Sequence, residues 1–317
     1  DDILNGDGGD DTLKGGAGDD TLDGGGDTDT ADYSDSATAV TIDLALNIAT
    51  GEGTDTLVSI ENATGSAQGD AITGDGGVNV LSGGAGDDIL TGGGGSDTVS
   101  GDGGDDILIW NNGDATETMD GGDDTDTARI NGATGAANTV TVTGAGADVS
   151  VAHTSGAVAS TITLTGVEAI EIDGGSGIDN VTFANALSGT AAVSADIDTF
   201  AGNDIVDGSA TDIALNIDGG ADNDTLTGGS AGDTLTGGAG DDILTGGGGD
   251  DTVYGGDGDD TIVAGTGDGD DAYDGGGDTD TVTFTSASQA VTVNLGTGIA
   301  TGAETGTDSL VNIENIV

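Results

Sequence analysis

The sequence predicts an all-β fold, a parallel β-roll or β-solenoid of short repeats with β-strand spacer modules interleaved between the arrays. Three observations predict it. A nine-residue unit of the form G-G-x-G-x-D-x-U-x, with U a large aliphatic residue, recurs in tandem. The segments between the tandem runs alternate apolar with polar residues and are rich in Val, Ile and Thr, as short strands are. No stretch shows a helical period.

The unit is plainest in GGAGDDTLD at Gly15–Asp23, which returns as GGAGDDILT at Gly83–Thr91 and at Gly237–Thr245. Close variants adjoin it: GGGGSDTVS at Gly92–Ser100, GGGGDDTVY at Gly246–Tyr254 and GGDGDDTIV at Gly255–Val263. The chain divides accordingly. A repeat array over 1–32 is followed by a spacer over 33–64, a second array over 65–109 and a diverged spacer over 110–173. An irregular repeat region over 174–218, a third array over 219–283 and a truncated spacer over 284–317 complete it. The first and last spacers are copies. DTADYS at Asp29–Ser34 answers DTVTFT at Asp280–Thr285, and TDTLVSIEN at Thr54–Asn62 answers TDSLVNIEN at Thr307–Asn315, with an insertion near Ala303-Glu304. Because the chain opens in mid-repeat and stops in mid-module, it is expected to be a segment of a longer protein, with repeats following Val317.

Composition narrows the partners. Sixty acidic residues face two basic ones, a formal charge of −58 over 317 residues. Phosphate recognition needs a basic surface, so nucleic acid is excluded, and an anionic membrane surface is repelled. No apolar run is long enough for membrane insertion, and no secretory signal peptide is visible. High charge with little apolar content normally marks disorder. The acids, however, recur at one phase of the repeat, as ligands do. The chain is therefore expected to be disordered without metal and folded with it, ion binding supplying folding free energy. It has no cysteine, and a metal-stapled repeat needs no disulfides.

The repeat chemistry follows from residue type. Glycines at the first, second and fourth positions permit positive φ and close backbone approach, so carbonyls curl toward one point. The sixth-position aspartate adds a hard anionic oxygen. Ca²⁺ takes about six to eight oxygen ligands, more than one loop supplies, so stacked loops would share ions. The last three positions form a strand whose aliphatic residue points inward: Leu13, Leu22, Leu90, Val99, Leu108, Leu244, Val253 and Ile262. Coils stacked about 4.8 Å apart bring carboxylates into rows. Two such charges at that spacing repel by roughly 3 kcal/mol at an effective dielectric near 20, more in sum than the aliphatic residues return without a cation.

On these residues the chain resembles the RTX (repeats-in-toxin) family of bacterial calcium-binding proteins, and the DTADYS…IEN modules resemble the segments between RTX arrays in large exported proteins. The resemblance implies a parallel β-roll with two nonapeptides per turn and multiple Ca²⁺ ions held by sixth-position aspartates and loop carbonyls. The ligands so implied are Asp11, Asp20, Asp88, Asp97, Asp106, Asp179, Asp233, Asp242, Asp251 and Asp260, with Asp70, Asp204, Asp224, Asp271 and Asp280 in the same candidate set. Asp27, Asp124, Asp222 and Asp278 stand where the fourth glycine belongs, which counts against Asp29, Asp126, Asp224 and Asp280. Asn79 replaces one aspartate outright.

Catalytic readings fare worse. A Ser-His-Asp arrangement would have to use His153, the only histidine, which reads better as a solvent-facing strand residue. Paired Asp-Asp steps resemble glycosidase carboxylates, but they recur in phase with the loop. An EF-hand needs a closing glutamate, which Asp27–Asp35 lacks. Trp110 reads as a hydrophobic cap over the last coil of its array, and Lys14 and Arg129 as surface residues. The expected function is therefore non-enzymatic: a calcium-folded structural region of a type I-secreted, extracellular bacterial protein at the cell surface, as in a surface layer, adhesin or filament. Expected partners are calcium, with self-association into a sheet or filament, or cell-surface polysaccharide. The alternative is the export and folding tail of a secreted enzyme or toxin.

Overall fold

The computed structural model describes residues 1–156, 158–264, 269–284, 287–303 and 305–317. Thr285 of the last spacer copy and Glu304 at its insertion lie outside them. Every regular element among the described residues is a strand, most of them three to six residues long. The chain forms two compact units, Asp1–Asn131 with Ala159–Ile170, and Gly132–Val158 with Glu171–Val317.

In the first unit, strand Ile89–Thr91 lies parallel between Ala71–Thr73 and Ile107–Asn111, with Ile89 opposite both Ala71 and Ile107. Partners are thus eighteen residues apart, two nonapeptides per turn. Alternate repeats build the opposite wall, where Val80–Ala85 pairs in parallel with Thr98–Gly103 at the same offset. The next coil is longer by two residues, since Thr98 faces Thr118 and Ile107 faces Thr127. The second unit repeats the design: Thr234 faces Thr252, and Thr225 faces Ile243. Both walls of each turn are therefore parallel ladders, because a nine-residue repeat always returns the chain in the same direction.

The eighth-position side chains fill the interior. Leu22, Leu90, Val99, Leu108, Leu244, Val253 and Ile262 are fully buried, and the column Ile72, Leu90, Leu108, Ala128 stacks coil upon coil. Flanking positions point outward even when aliphatic, as Ile89 and Ile243 do. Each interior side chain contributes about 1.5–3 kcal/mol.

The spacers enter as antiparallel meanders spliced into these ladders. Thr41–Asp43, Ile48–Thr50 and Thr54–Val58 pair antiparallel in order. The last of them stacks in parallel on Thr21–Asp23, and the first stacks on Ala71–Thr73. The spacer thus hands the solenoid from one array to the next. The copy Val291–Asn294, Ile299–Gly302 and Gly306–Val311 forms the same meander, and its last strand stacks in parallel on Ala272–Gly277.

Two expectations need correction. His153 does not face solvent: it is 1 % exposed, and its Nε2 lies 3.2 Å from Asn138 Oδ1. The hairpin Asn138–Ala145 with Asp148–Ser155 turns one face inward over its whole length, and His153 falls on that face opposite Val140. Trp110 is not a terminal cap, because the next coil continues past it and Ile130 pairs with it across the ladder. It is wholly buried, and its indole N–H donates to Ala115 O at 3.1 Å. Lys14 is exposed and Arg129 half-buried, as expected of surface residues.

Truncating a column residue should leave a cavity that parallel ladders cannot close. Leu90→Ala should cost about 2–5 kcal/mol in chemical unfolding of the calcium-saturated chain, whereas Ile89→Ala, on the outer face, should cost well under half as much.

Candidate metal centre

The glycines of each repeat do two different jobs. In Gly83–Thr91, Gly84 and Gly86 adopt φ of 110° and 102°, the left-handed region that side chains disfavour. Gly83 does not. Its need is spatial: a Cβ there would lie 2.2 Å from Asp88 Oδ2 and 2.8 Å from Gly101 O, a carbonyl of the next coil. The first-position glycine therefore keeps open a small space lined by oxygens. The expected positive φ at that position is corrected to a steric requirement.

The sixth-position aspartates form rows along each unit. The Asp70 N–H donates to Asp88 Oδ1 at 2.6 Å, Asp88 N–H to Asp106 Oδ1 at 2.8 Å and Asp106 N–H to Asp126 Oδ1 at 2.9 Å. Asp97 Oδ1 receives the Asn79 N–H, Asp20 Oδ1 the Asp2 N–H, and the Asp11 N–H donates to Asp29 Oδ1. In the second unit one row runs from Asp179 through Asp204, Asp224, Asp242 and Asp260 to Asp280, every link between 2.7 and 2.9 Å. A second runs through Asp233, Asp251, Asp271 and Asp308. The relay arises because a turn, eighteen or twenty residues long in the arrays and longer where other segments are inserted, puts each carboxylate directly above the previous aspartate's amide.

In most of these aspartates one oxygen is thus satisfied and the other is not. Oδ2 of Asp11, Asp20, Asp88, Asp97, Asp106, Asp179, Asp204, Asp224, Asp242, Asp251, Asp260 and Asp280 is buried with no hydrogen-bond partner. Burial pushes Asp88, Asp224 and Asp251 up to about 7, and Asp97, Asp106 and Asp260 up to about 6; the amide of the preceding coil opposes this, and neighbouring carboxylates add to it. Protein cations are far too few to answer these charges. Lys14 pairs with Asp32 and Asp35 at 3.3 and 2.7 Å, away from the rows, and the N-terminal ammonium lies 3.7 Å from Asp20 Oδ1. Among the described residues no three His, Cys, Asp or Glu side chains converge; beside the free Oδ2 of Asp88, Asp106, Asp242 and Asp260 the other oxygens are the main-chain carbonyls of Gly101, Gly121, Gly255 and Gly275. One carboxylate oxygen with glycine carbonyls is a hard, all-oxygen donor set, which suits Ca²⁺ and not a soft transition metal.

Three residues of the candidate set depart from this pattern. Asp70 lies in its row, but its Oδ2 accepts the Ser66 N–H. Asp233 Oδ2 accepts the Gly229 N–H at 2.6 Å, and Asp271 Oδ2 accepts the Tyr273 hydroxyl at 2.7 Å. Asn79 turns its amide NH₂ onto Glu61 O at 2.6 Å, so a protein donor stands where a cation would sit. Asn138 does likewise on Gly174 O at 2.7 Å.

The sequence missed other members. Asp29 and Asp126, marked down for an aspartate in place of the fourth glycine, have the same orphaned Oδ2, because Asp27 and Asp124 adopt φ of 75° and 80° and keep the loop shape. Aspartate is one of the few side chains that tolerate this region. Asp308, buried with its Oδ2 unpartnered, and Glu117 also went unread. The usable signal was the repeat tail, an acid two residues before an aliphatic: Asp308-Ser309-Leu310 and Glu117-Thr118-Met119.

The spacers close the rows in one recurring way. Glu61 accepts the Asp29 N–H, Glu168 the Asp126 N–H and Glu314 the Asp280 N–H, each at 2.9 Å. Two residues earlier, Ser59, Gly166 and Asn312 take positive φ and bring a carbonyl over Gly24, Gly121 and Gly275, in the place a repeat carbonyl otherwise occupies.

Residues 1–31, 73–108, 216–244, 227–262 and 236–269 match the family model of the RTX calcium-binding nonapeptide repeat, which spans four copies of the unit. No curated protein matches the chain.

Three outcomes are expected. Asp88→Ala with Asp106→Ala should lower the number of bound calcium ions and fray the 65–109 array, read by calorimetry and hydrogen exchange; unchanged binding would remove the sixth position as ligand. Gly83→Ala should weaken calcium binding without altering φ, since the methyl fills the oxygen-lined space. The third concerns pH. The raised values mean that the folded chain holds these protons more tightly than the unfolded one. The metal-free folding penalty is thus absent below the ordinary value of 3.8, grows with rising pH and is complete above about 7. In chelator, acidification through that window should increase β-structure in circular dichroism, while calcium affinity falls over the same range.

Proposed function

We propose that this chain, whose arrays are RTX calcium-binding nonapeptide repeats, is a calcium-folded structural region of a secreted bacterial cell-surface protein, in a surface layer, an adhesin or an extracellular filament. The rows of buried carboxylate oxygens without protein partners carry the calcium part of this reading. Bound calcium supplies the positive charge that these oxygens lack. The ligands we assign are Asp11, Asp20, Asp29, Asp88, Asp97, Asp106, Asp126, Asp179, Asp204, Asp224, Asp242, Asp251, Asp260 and Asp280, each with the carbonyls around its first-position glycine. Asp70, Asp233 and Asp271 serve the rows as amide acceptors.

The structural role is supported by the alternation of repeats and spacers, in which the first spacer stacks its outer strands on the arrays at both ends. Low internal calcium would leave the chain unfolded for passage through a type I secretion channel, and external calcium would fold it. No helix among the described residues is long and apolar enough to cross a membrane. Calcium ions are the assigned partners, with self-association or cell-surface polysaccharide as the further contact. The same calcium-triggered folding would serve an export tail of a secreted enzyme or toxin, so the test must separate the two.

A calcium titration followed by circular dichroism should show a coil-to-β transition near the millimolar range typical of extracellular sites, reversed by chelator. Electron microscopy of the endpoint should show sheets or fibres. A chain already folded in chelator would overturn the calcium reading, and soluble monomers at the endpoint would favour the export tail.

A further inference from the structure

The loop 111–117 contains no nonapeptide consensus, yet it brings a second carboxylate to a place where the coils over Gly83, Gly101 and Gly237 supply a carbonyl. Thr98 pairs with Thr118, so Glu117 stands directly over Asp97. In the aspartate rows a carboxylate in that position accepts the amide below it. Glu117 does not: it is 1 % exposed, and neither of its side-chain oxygens has a hydrogen-bond partner. Unlike Glu61, Glu168 and Glu314, which accept the amide from the same position, Glu117 turns its carboxylate toward Gly92. A Cβ on Gly92 would meet Asp97 Oδ2 and Glu117 Oε1, each at 2.8 Å. At Gly83, Gly101 and Gly237 the corresponding neighbours are one aspartate oxygen and a glycine carbonyl. Two unpartnered carboxylate oxygens from successive coils therefore face one buried point.

The loop that delivers Glu117 is held on three sides. The Trp110 indole N–H donates to Ala115 O at 3.1 Å, the Ser160 hydroxyl to Asp114 O at 2.8 Å, and Asp114 Oδ2 accepts the Asn111 N–H at 2.7 Å. Met119, two residues on, is fully buried in the column over Val99. Glu117 is thus anchored from both ends and cannot swing to solvent without breaking the coil. Carboxylates buried this way are costly unless they are paired or bind metal.

We propose that Asp97 and Glu117 form a two-carboxylate site for a hard divalent cation, calcium in the first instance, distinct from the one-carboxylate sites of the repeats. The inference rests on the calcium reading of the arrays. More ligand charge raises affinity in oxygen-ligated calcium sites, so this site fills first as calcium rises and pins the long coil at the end of the second array. Its position beside the only tryptophan of the chain makes it separately visible.

The test compares the intact chain with Glu117→Gln, which keeps the shape and removes the charge. Calorimetry with calcium should show one ion fewer in the variant, or its tightest ion weakened by about tenfold, while the remaining ions and the circular dichroism amplitude are unchanged. Terbium, excited selectively through the indole, should give emission at the first additions to the wild-type chain and lose that phase in the variant. Equal ion number and affinity in the two chains would overturn the proposal. So would wild-type terbium filling in which indole-sensitised emission appears only late, a readout that does not require the variant to fold. A wild-type chain that binds no calcium would instead overturn the array reading beneath it.

Discussion

The structure depends on a single unmet demand: a buried carboxylate oxygen with no donor from the protein. Each turn of two nonapeptides places an aspartate over the preceding aspartate's amide, which satisfies one oxygen and leaves its twin facing glycine carbonyls. Isolated buried anions are expensive, and two basic residues against sixty acidic ones cannot neutralise the rows. Protons or a divalent cation must do so. Folding is thereby coupled to the medium, because the same atoms that align the coils also forbid the coils in the absence of a counter-charge.

The glycines answer that demand as much as the aspartates do. Positive φ at the second and fourth positions turns the loop, but the first-position glycine is fixed by volume, since a methyl would occupy the space the oxygens surround. This explains why aspartate is accepted at Asp27 and Asp124 without loss of loop geometry, whereas the first position stays glycine in every consensus repeat. Turn shape tolerates any residue that can enter the left-handed region, and the oxygen-lined space tolerates none.

The spacers belong to the same logic. Each I-E-N-like segment ends an aspartate row with a glutamate on the last amide and a carbonyl from a left-handed residue over the last glycine. A row that stopped without them would leave its final amide without an acceptor and its final glycine without the carbonyl that faces it in the repeats. The spacer is thus a terminator as well as a connector, with strands that stack in the same ladders as the repeats.

Whatever depends on the period was legible in the chain. A nine-residue beat dictates parallel return, an eighth-position core and an acid in constant phase, so the fold, the inward aliphatic positions of each unit and most of the carboxylate rows could be read from it. The company each side chain keeps emerged only from the stacked coils. Asp70, Asp233 and Asp271 share the phase of their neighbours but lose their free oxygen to Ser66, Gly229 and Tyr273. Glu117 lies outside the consensus and joins Asp97 only because a coil two residues longer sets it there. His153 and Trp110 were misread for the same reason, as burial follows from the strand that stacks next and not from local composition. Periodicity specifies a residue's position in the coil, but only the adjacent coil, many residues away in sequence, specifies which atoms it meets.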